Sequence, residues 1–316
     1  MNTNYAKYKE LDKEIDSLFE EKKYEEAISK MESSYDQFPE YDFQLKVYTL
    51  YCSRENKNYK KCLDLLYEGL SKGYFYGLKW EGWDPMKEFP EWENILEKNN
   101  ENRALVEKNS KMEYKVLTPA EYDKNSAYPL FMILHGDGNG CNIEDFSKEW
   151  RADILLSKGF VVSYVQSSQP ECTGGFGWTS DYEKTRKEIA EAYNKIIDEH
   201  SIDRERVILG GFSGGSMASL NVLMNNTIPL KGIMALCPNE TDDCTEKNIQ
   251  KAAERGSRMV LLEGEKSDEV PFHLELMKSA EKFNMPAIYL INKNTGHNVP
   301  KEFNDIINKA VDFIFS

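Results

Sequence analysis

The sequence predicts an α/β protein: a mostly parallel sheet covered by helices, preceded by a small all-α region. Three observations carry that expectation. Residues 1 to about 75 space their apolar side chains at helical period and show no strand signal. From about residue 110, short apolar runs alternate with amphipathic stretches, the pattern of parallel strands joined by helices. In Arg206-Val-Ile-Leu-Gly-Gly-Phe-Ser213 an apolar strand runs through glycines into a small-residue helix, with a serine at the turn. The expected division is a helical part over 1–109 and an α/β part over 110–316.

In the first part, Leu11, Ile15, Leu18 and Phe19 form one stripe, broken at Lys22-Lys23. Helices follow from Tyr24 to Phe38-Pro39, where proline stops the run, then over Asp42 to Cys52 and Tyr59 to Leu70. Tyr24-Glu-Glu-Ala27, Met31 and Tyr59-Lys-Lys-Cys62, Leu66 repeat one pattern 35 positions apart. This resembles the second helix of a tetratricopeptide repeat, whose period is about 34. Two such units bury too little alone, so these helices are expected to lean on the rest of the chain, a second copy or a protein partner. Trp83, Phe89 and Trp92 read as packing anchors. Asn99-Asn100-Glu101-Asn102 reads as a polar linker edge.

In the second part, strands are expected at Tyr114–Leu117, Tyr128–Leu134, Phe160–Val165, Val207–Gly210, Gly232–Cys237, Met259–Leu262 and Ala287–Ile291. Helices are expected at Asp181–His200 and at about 272–283 and 301–315.

A net charge of −14, spread along the whole chain, disfavours nucleic acid and anionic membrane surfaces as partners. The first ten residues have no apolar core of a secretory signal, and no apolar run reaches the length of a membrane span. Six scattered cysteines without a C-x-x-C read as reduced thiols of a cytoplasmic protein.

The site is built around Gly211-Phe212-Ser213-Gly214-Gly215. A serine on a strained strand-to-helix turn holds its hydroxyl away from the backbone. The glycines tolerate the turn, and the helix start offers the Gly214 N–H to a developing negative charge. His135-Gly136-Asp137-Gly138 follows another strand end, and its Asp137 N–H is the expected second donor. His135 is then a loop-holding residue. An acidic side chain at Asp137 has to turn away from that charge. Among the four histidines, the order serine–acid–histidine leaves His273 and His297. His273 opens a helix after Pro271-Phe272, whereas His297 sits in a glycine-containing loop that can present an imidazole as base. The acid is expected in Gly264-Glu-Lys-Ser-Asp-Glu-Val-Pro271, with Asp268 chosen over Glu265 and Glu269. Asp137 to Lys148 also approaches a calcium loop, but Cys141 and Lys148 stand where oxygen ligands are needed, so no metal is expected.

Residues 110–316 thus resemble the α/β-hydrolases, in layout the compact carboxylesterase and feruloyl- or polyhydroxyalkanoate-esterase-like branches. The resemblance rests on His135-Gly-Asp-Gly, Gly-Phe-Ser213-Gly-Gly, Asp268-x-Val-Pro and Gly-His297 in that order. The acid turn departs by one residue from the family's Gly-x-x-Asp. The resemblance implies acyl transfer from a small-molecule carboxylic ester through an acyl-enzyme on Ser213, with His297 as base, Asp268 orienting it and no cofactor. Phe176 and Trp178, in Gly174-Gly-Phe-Gly-Trp178, are expected to line the substrate pocket. The alternatives are a serine peptidase of the same fold and a catalytically silent hydrolase body carrying a helical-repeat binding module.

Overall fold

The computed structural model describes residues 3–267, 270–300 and 303–316. The chain forms two compact units. One runs to Asn109 and includes Glu171–Thr173; the other comprises Ser110–Pro170 and Gly174–Ser316.

In the first unit, helices α1 (Thr3–Glu20), α2 (Tyr24–Glu32), α3 (Asp42–Glu55), α4 (Tyr59–Ser71) and α5 (Trp92–Glu107) pack on one another in chain order. Lys22 and Lys57 take positive φ at the turns after α1 and α3, and Asn58 caps α4 by accepting the Lys61 N–H. Two cores result. Leu11, Ile15, Ala27, Met31 and Leu45 fill the first; Leu50, Cys62, Leu66, Trp83 and Trp92 fill the second, with Phe89 packed at its edge. Ala27 and Cys62, the small residues of the repeated pattern, are both fully buried. Phe19 leaves the α1 stripe for solvent and meets Tyr24 edge-on.

The expected linker edge at Asn99–Asn102 is instead the middle of α5. Asn99 and Asn102 are buried, and their amides serve the backbone between the end of α4 and Tyr76. Asn99 accepts the Tyr76 N–H at 2.8 Å and donates to the Tyr76 carbonyl at 3.0 Å. Asn102 donates to the carbonyls of Leu70 and Tyr74 at 3.0 and 2.7 Å. A polar run that looks like solvent-facing chain is a clamp satisfying buried backbone.

Glu171–Thr173 also depart from expectation by joining the helical unit. Cys172 enters its second core, and Thr173 exchanges hydrogen bonds with Phe75 through both backbone and hydroxyl.

The second unit is built on strands β1 (Glu113–Leu117), β2 (Tyr128–Leu134), β3 (Val161–Gln166), β6 (Ile202–Phe212), β7 (Gly232–Leu236), β8 (Arg258–Gly264) and β9 (Ala287–Asn292). A separate two-stranded hairpin, β4 (Gln169–Cys172) and β5 (Gly175–Gly177), follows β3. The seven-stranded sheet has the order β1-β3-β2-β6-β7-β8-β9, with β1 antiparallel to β3 and every other pair parallel.

Continuous apolar runs are what strands covered on both faces require. Leu130, Met132, Val207, Leu209, Ile233 and Leu261 meet helices α8 (Tyr182–Glu199), α9 (Gly214–Met224), α10 (Glu246–Glu254) and α11 (Val270–Lys282). Their neighbours Phe131, Ile133, Ile208, Met234, Val260 and Leu262 meet Trp150, which follows helix α6 (Ile143–Glu149), Leu155 of helix α7 (Asp153–Ser157) and helix α12 (Phe303–Phe315). The parallel strands deliver Leu134, Phe212, Leu236 and Gly264 to one carboxyl edge, so the residues beyond them are gathered there. No helix among the described residues is long and apolar enough to cross a membrane.

The clamp role of Asn102 has a measurable cost. Asn102→Ala takes the side-chain donor from the Tyr74 carbonyl, and one of two donors from the Leu70 carbonyl, which keeps the Gly73 N–H, and is expected to destabilise the helical unit by about 1–3 kcal/mol. Asn109→Ala, an exposed control, should cost under about 0.5 kcal/mol. Urea unfolding followed by far-ultraviolet circular dichroism compares them; equal midpoints would remove the clamp.

Candidate active site

Ser213 stands between β6 and α9 with φ 51° and ψ −119°. A non-glycine residue rarely occupies this region, and holding it there costs about 1–3 kcal/mol. Two glycines make the turn sterically attainable. A methyl group on Gly215 would lie 2.2 Å from the His135 carbonyl oxygen and 2.6 Å from that of Leu134. A methyl on Gly211 would lie 2.2 Å from the Gly215 carbonyl oxygen. The start of α9 is therefore seated directly on the end of β2. The Ser213 N–H donates to Leu236 at 2.9 Å, tying the turn to β7, and the residue stays half-exposed.

The structure sets the Asp137 side chain against Gly214. Gly214 opens α9, where backbone N–H groups have no acceptor within the helix. A side chain on Gly214 would collide with the Asp137 carboxylate, 1.9 Å from Oδ1. That carboxylate is held by the Trp178 N–H at 2.8 Å, by the Thr179 N–H at 3.2 Å and by the Thr179 hydroxyl. It fastens the start of the segment leading to α8. The same loop is pinned to β5: the Gly138 N–H donates to the Phe176 carbonyl and the Phe176 N–H to the Cys141 carbonyl, both at 3.0 Å.

His135 is buried beneath this loop. Its Nδ1–H donates to the Gly136 carbonyl at 2.5 Å and its Nε2 accepts the Ser167 N–H at 3.3 Å, a neutral tautomer. Burial pushes its pKa down to about 4. Trp178 is fully buried as well, its indole N–H donating to the His135 carbonyl at 3.0 Å. It supports the loop from below and presents no surface to a substrate, which corrects its expected role in the pocket. Phe176 is half-buried beside the loop.

His297 is exposed, with its ring 5.1 Å from that of Phe212, the residue before the serine. Its loop is built against the end of β8. A side chain on Gly264 would strike the carbonyl oxygens of Gly296 and Thr295 at 2.1 and 2.5 Å. Lys266 N–H donates to the Thr295 carbonyl, and Glu265 accepts the Asn294 N–H, each at 3.0 Å. Asp268 and its rival Glu269 lie outside the described residues. His273 is buried on α11, bonded through Nε2 to the Pro238 carbonyl at 2.7 Å.

The carboxylate that does face His297 is Glu263, which sequence reasoning missed. It is fully buried at the end of β8. Oε1 accepts the Gly264 N–H at 2.8 Å; Oε2 takes no hydrogen bond among the described residues and lies 3.7 Å from His273 Nδ1. One ligand atom from each of Glu263, Cys237 and His297 falls within 4.8 Å of the others. Burial, and then the Glu263 charge beside it, push the Cys237 thiol pKa up. The available signal was the single carboxylate closing an apolar strand, Met-Val-Leu-Leu-Glu263, where burial needs a partner.

A model of the phospholipase/carboxylesterase family matches residues 176–314, the span that carries Ser213, Glu263 and His297. With the sheet order and the serine turn, this decides the architecture. The fold is that of an α/β-hydrolase. A solved Bacillus cereus protein of uncharacterised function is similar over 97% of this chain and 98% of its own, with TM-score 0.55 and 20% identity. The chain is 30% identical over 108 residues to the bifunctional acetylxylan esterase/xylanase of Neocallimastix patriciarum, covering 34% of this chain and 15% of that protein. It is 25% identical over 130 residues to the prolyl endopeptidase FAP of Mus musculus, covering 40% of this chain and 17% of that protein. In both cases the chain spans under a fifth of the relative's own length.

The backbone at Ser213 predicts a trade of stability for reactivity. Ser213→Gly removes strain of about 1–3 kcal/mol and adds about 0.4–1 kcal/mol of unfolded-state freedom. It is expected to melt higher than Ser213→Ala, by about 1 kcal/mol. A Ser213→Gly variant melting no higher than Ser213→Ala would mean the turn holds no strain.

Proposed function

We propose that the chain is a serine hydrolase cleaving small carboxylic esters through an acyl-enzyme. Ser213 attacks the ester carbonyl, His297 takes the hydroxyl proton and returns it to the leaving alcohol, and water then repeats the cycle on the acyl-serine. The N–H groups of Asp137 and Gly214 hold the oxyanion. A buried carboxylate stabilises the imidazolium. Glu263 is favoured for this role by its burial and by a carboxylate oxygen within 4.8 Å of a His297 ring nitrogen; Asp268 is the candidate carried by the sequence pattern. Phe176 borders the acyl or alcohol side.

The observation that carries the reading is the φ of Ser213. A fold keeps a serine in that strained region where its hydroxyl must project from the turn. The ester reading draws on the phospholipase/carboxylesterase match and on the acetylxylan esterase likeness. A peptidase is the second reading, favoured by the prolyl endopeptidase likeness. The paired helices of the first unit suit a tetratricopeptide-like module for a second copy or a protein partner. Six free thiols suit a reducing, cytoplasmic compartment.

A fluorophosphonate probe tests the reading. Wild type should be labelled on one serine, Ser213→Ala should not, and His297→Ala should label and turn over about 10⁴-fold more slowly. Glu263→Gln should slow turnover far more than Asp268→Asn if Glu263 is the acid. Hydrolysis of p-nitrophenyl acetate without cleavage of aminoacyl-p-nitroanilides separates esterase from peptidase. Labelling that survives Ser213→Ala, or none in folded wild type, contradicts both.

A further inference from the structure

Cys237 has no task in the acyl-transfer reading, yet it stands at the same carboxyl edge. It follows β7 directly, Glu263 closes β8, and His297 lies in the loop beyond β9. Their ligand atoms lie within 4.8 Å of one another. Cys237 and Glu263 are buried, whereas His297 is exposed. Glu263 is fully buried, and its Oε2 receives no hydrogen bond among the described residues and lies 3.7 Å from His273 Nδ1. We propose that Cys237, Glu263 and His297 bind a zinc ion, with water as fourth ligand, and that bound zinc takes His297 away from Ser213.

The donor set argues for zinc over harder cations. A thiolate, an imidazole and one carboxylate suit a borderline-soft ion, while magnesium and calcium want oxygen alone. Charge closes as well. Binding sends the thiol proton to solvent, leaving thiolate and carboxylate to neutralise the divalent ion in a buried place. Donors around tetrahedral zinc stand roughly 3.3–3.8 Å apart, so the trio must draw in by about 1 Å. The exposed His297 side chain supplies that movement and leaves an entry path. An imidazole nitrogen bound to zinc cannot accept the serine proton, so the same side chain serves either the ion or the reaction. The binding site stands without the hydrolase reading; the blocking effect rests on it.

The test uses the full chain, stripped with a chelator and titrated with cobalt(II). Wild type should bind one ion per chain and show a thiolate-to-cobalt charge-transfer band that zinc bleaches. Cys237→Ser and His297→Ala should lose the band, and the exposed position of His297 keeps that variant informative if Cys237→Ser fails to fold. Free zinc at about ten times its dissociation constant should slow fluorophosphonate labelling of wild type about tenfold, with recovery on chelation. In Cys237→Ser the rates with and without zinc should be equal. No band in wild type, or a band that survives Cys237→Ser, overturns the site. Zinc bound with labelling unslowed overturns the blocking of His297. Cobalt bound through Cys237 in a chain that never labels supports the site and removes the hydrolase reading instead.

Discussion

The close seating of α9 on the end of β2 is the constraint on which the site depends. Gly215 rests against the carbonyl oxygens of His135 and Leu134 with no room for a single methyl group. Because the helix starts there, the chain has to leave β6 through one abrupt residue, and that residue is Ser213 at positive φ. The strain, about 1–3 kcal/mol, is small beside the burial of two apolar sheet faces that fix β2, β6 and α9. The sheet therefore holds the serine outward at little risk to the fold. The same seating brings the Asp137 side chain against Gly214, so two distant segments meet at the serine turn.

A second close approach organises the opposite side. Gly264 lets the loop of His297 lie on the end of β8, and backbone hydrogen bonds from Glu265 and Lys266 hold it there. Glycines at two strand ends thus do equivalent work: each removes a side chain so that a loop bearing chemistry can sit on the sheet edge. Glu263 is drawn into the group by its place in the ladder. It is the last alternating residue of a buried strand, so its carboxylate is enclosed where the imidazole and the thiol meet. A polar group enclosed in this way is costly unless something pairs with it, which is why the neighbours of Glu263 matter to both the acyl-transfer reading and the zinc reading.

The sheet was legible because its strands are apolar on both faces, leaving short runs that nothing but a covered sheet explains. The serine turn was legible because its glycines are a steric requirement written directly into the chain. His297 was reached through loop position, and its ring does lie beside Phe212. What escaped reading depended on partners distant in sequence. Asn99 and Asn102 look like linker residues until the backbone of 70–76 is folded against α5. Trp178 looks like a pocket wall until His135 and the β2 edge close over it. Glu263 looks like the polar end of a strand until Cys237 and His297 arrive from two other crossovers. The β4–β5 tip gave no local sign that Glu171–Thr173 would enter the helical unit.

The central claim is that Ser213 projects into a point shared by two backbone donors and an imidazole. The most direct measurement is a crystal structure of the chain after reaction with a small fluorophosphonate. The account predicts a phosphonyl group on Ser213 Oγ, its oxygen within hydrogen-bond distance of the Asp137 and Gly214 nitrogens, and His297 facing the serine oxygen. An adduct whose oxygen points to solvent, or an imidazole turned away from an occupied Ser213, would contradict it.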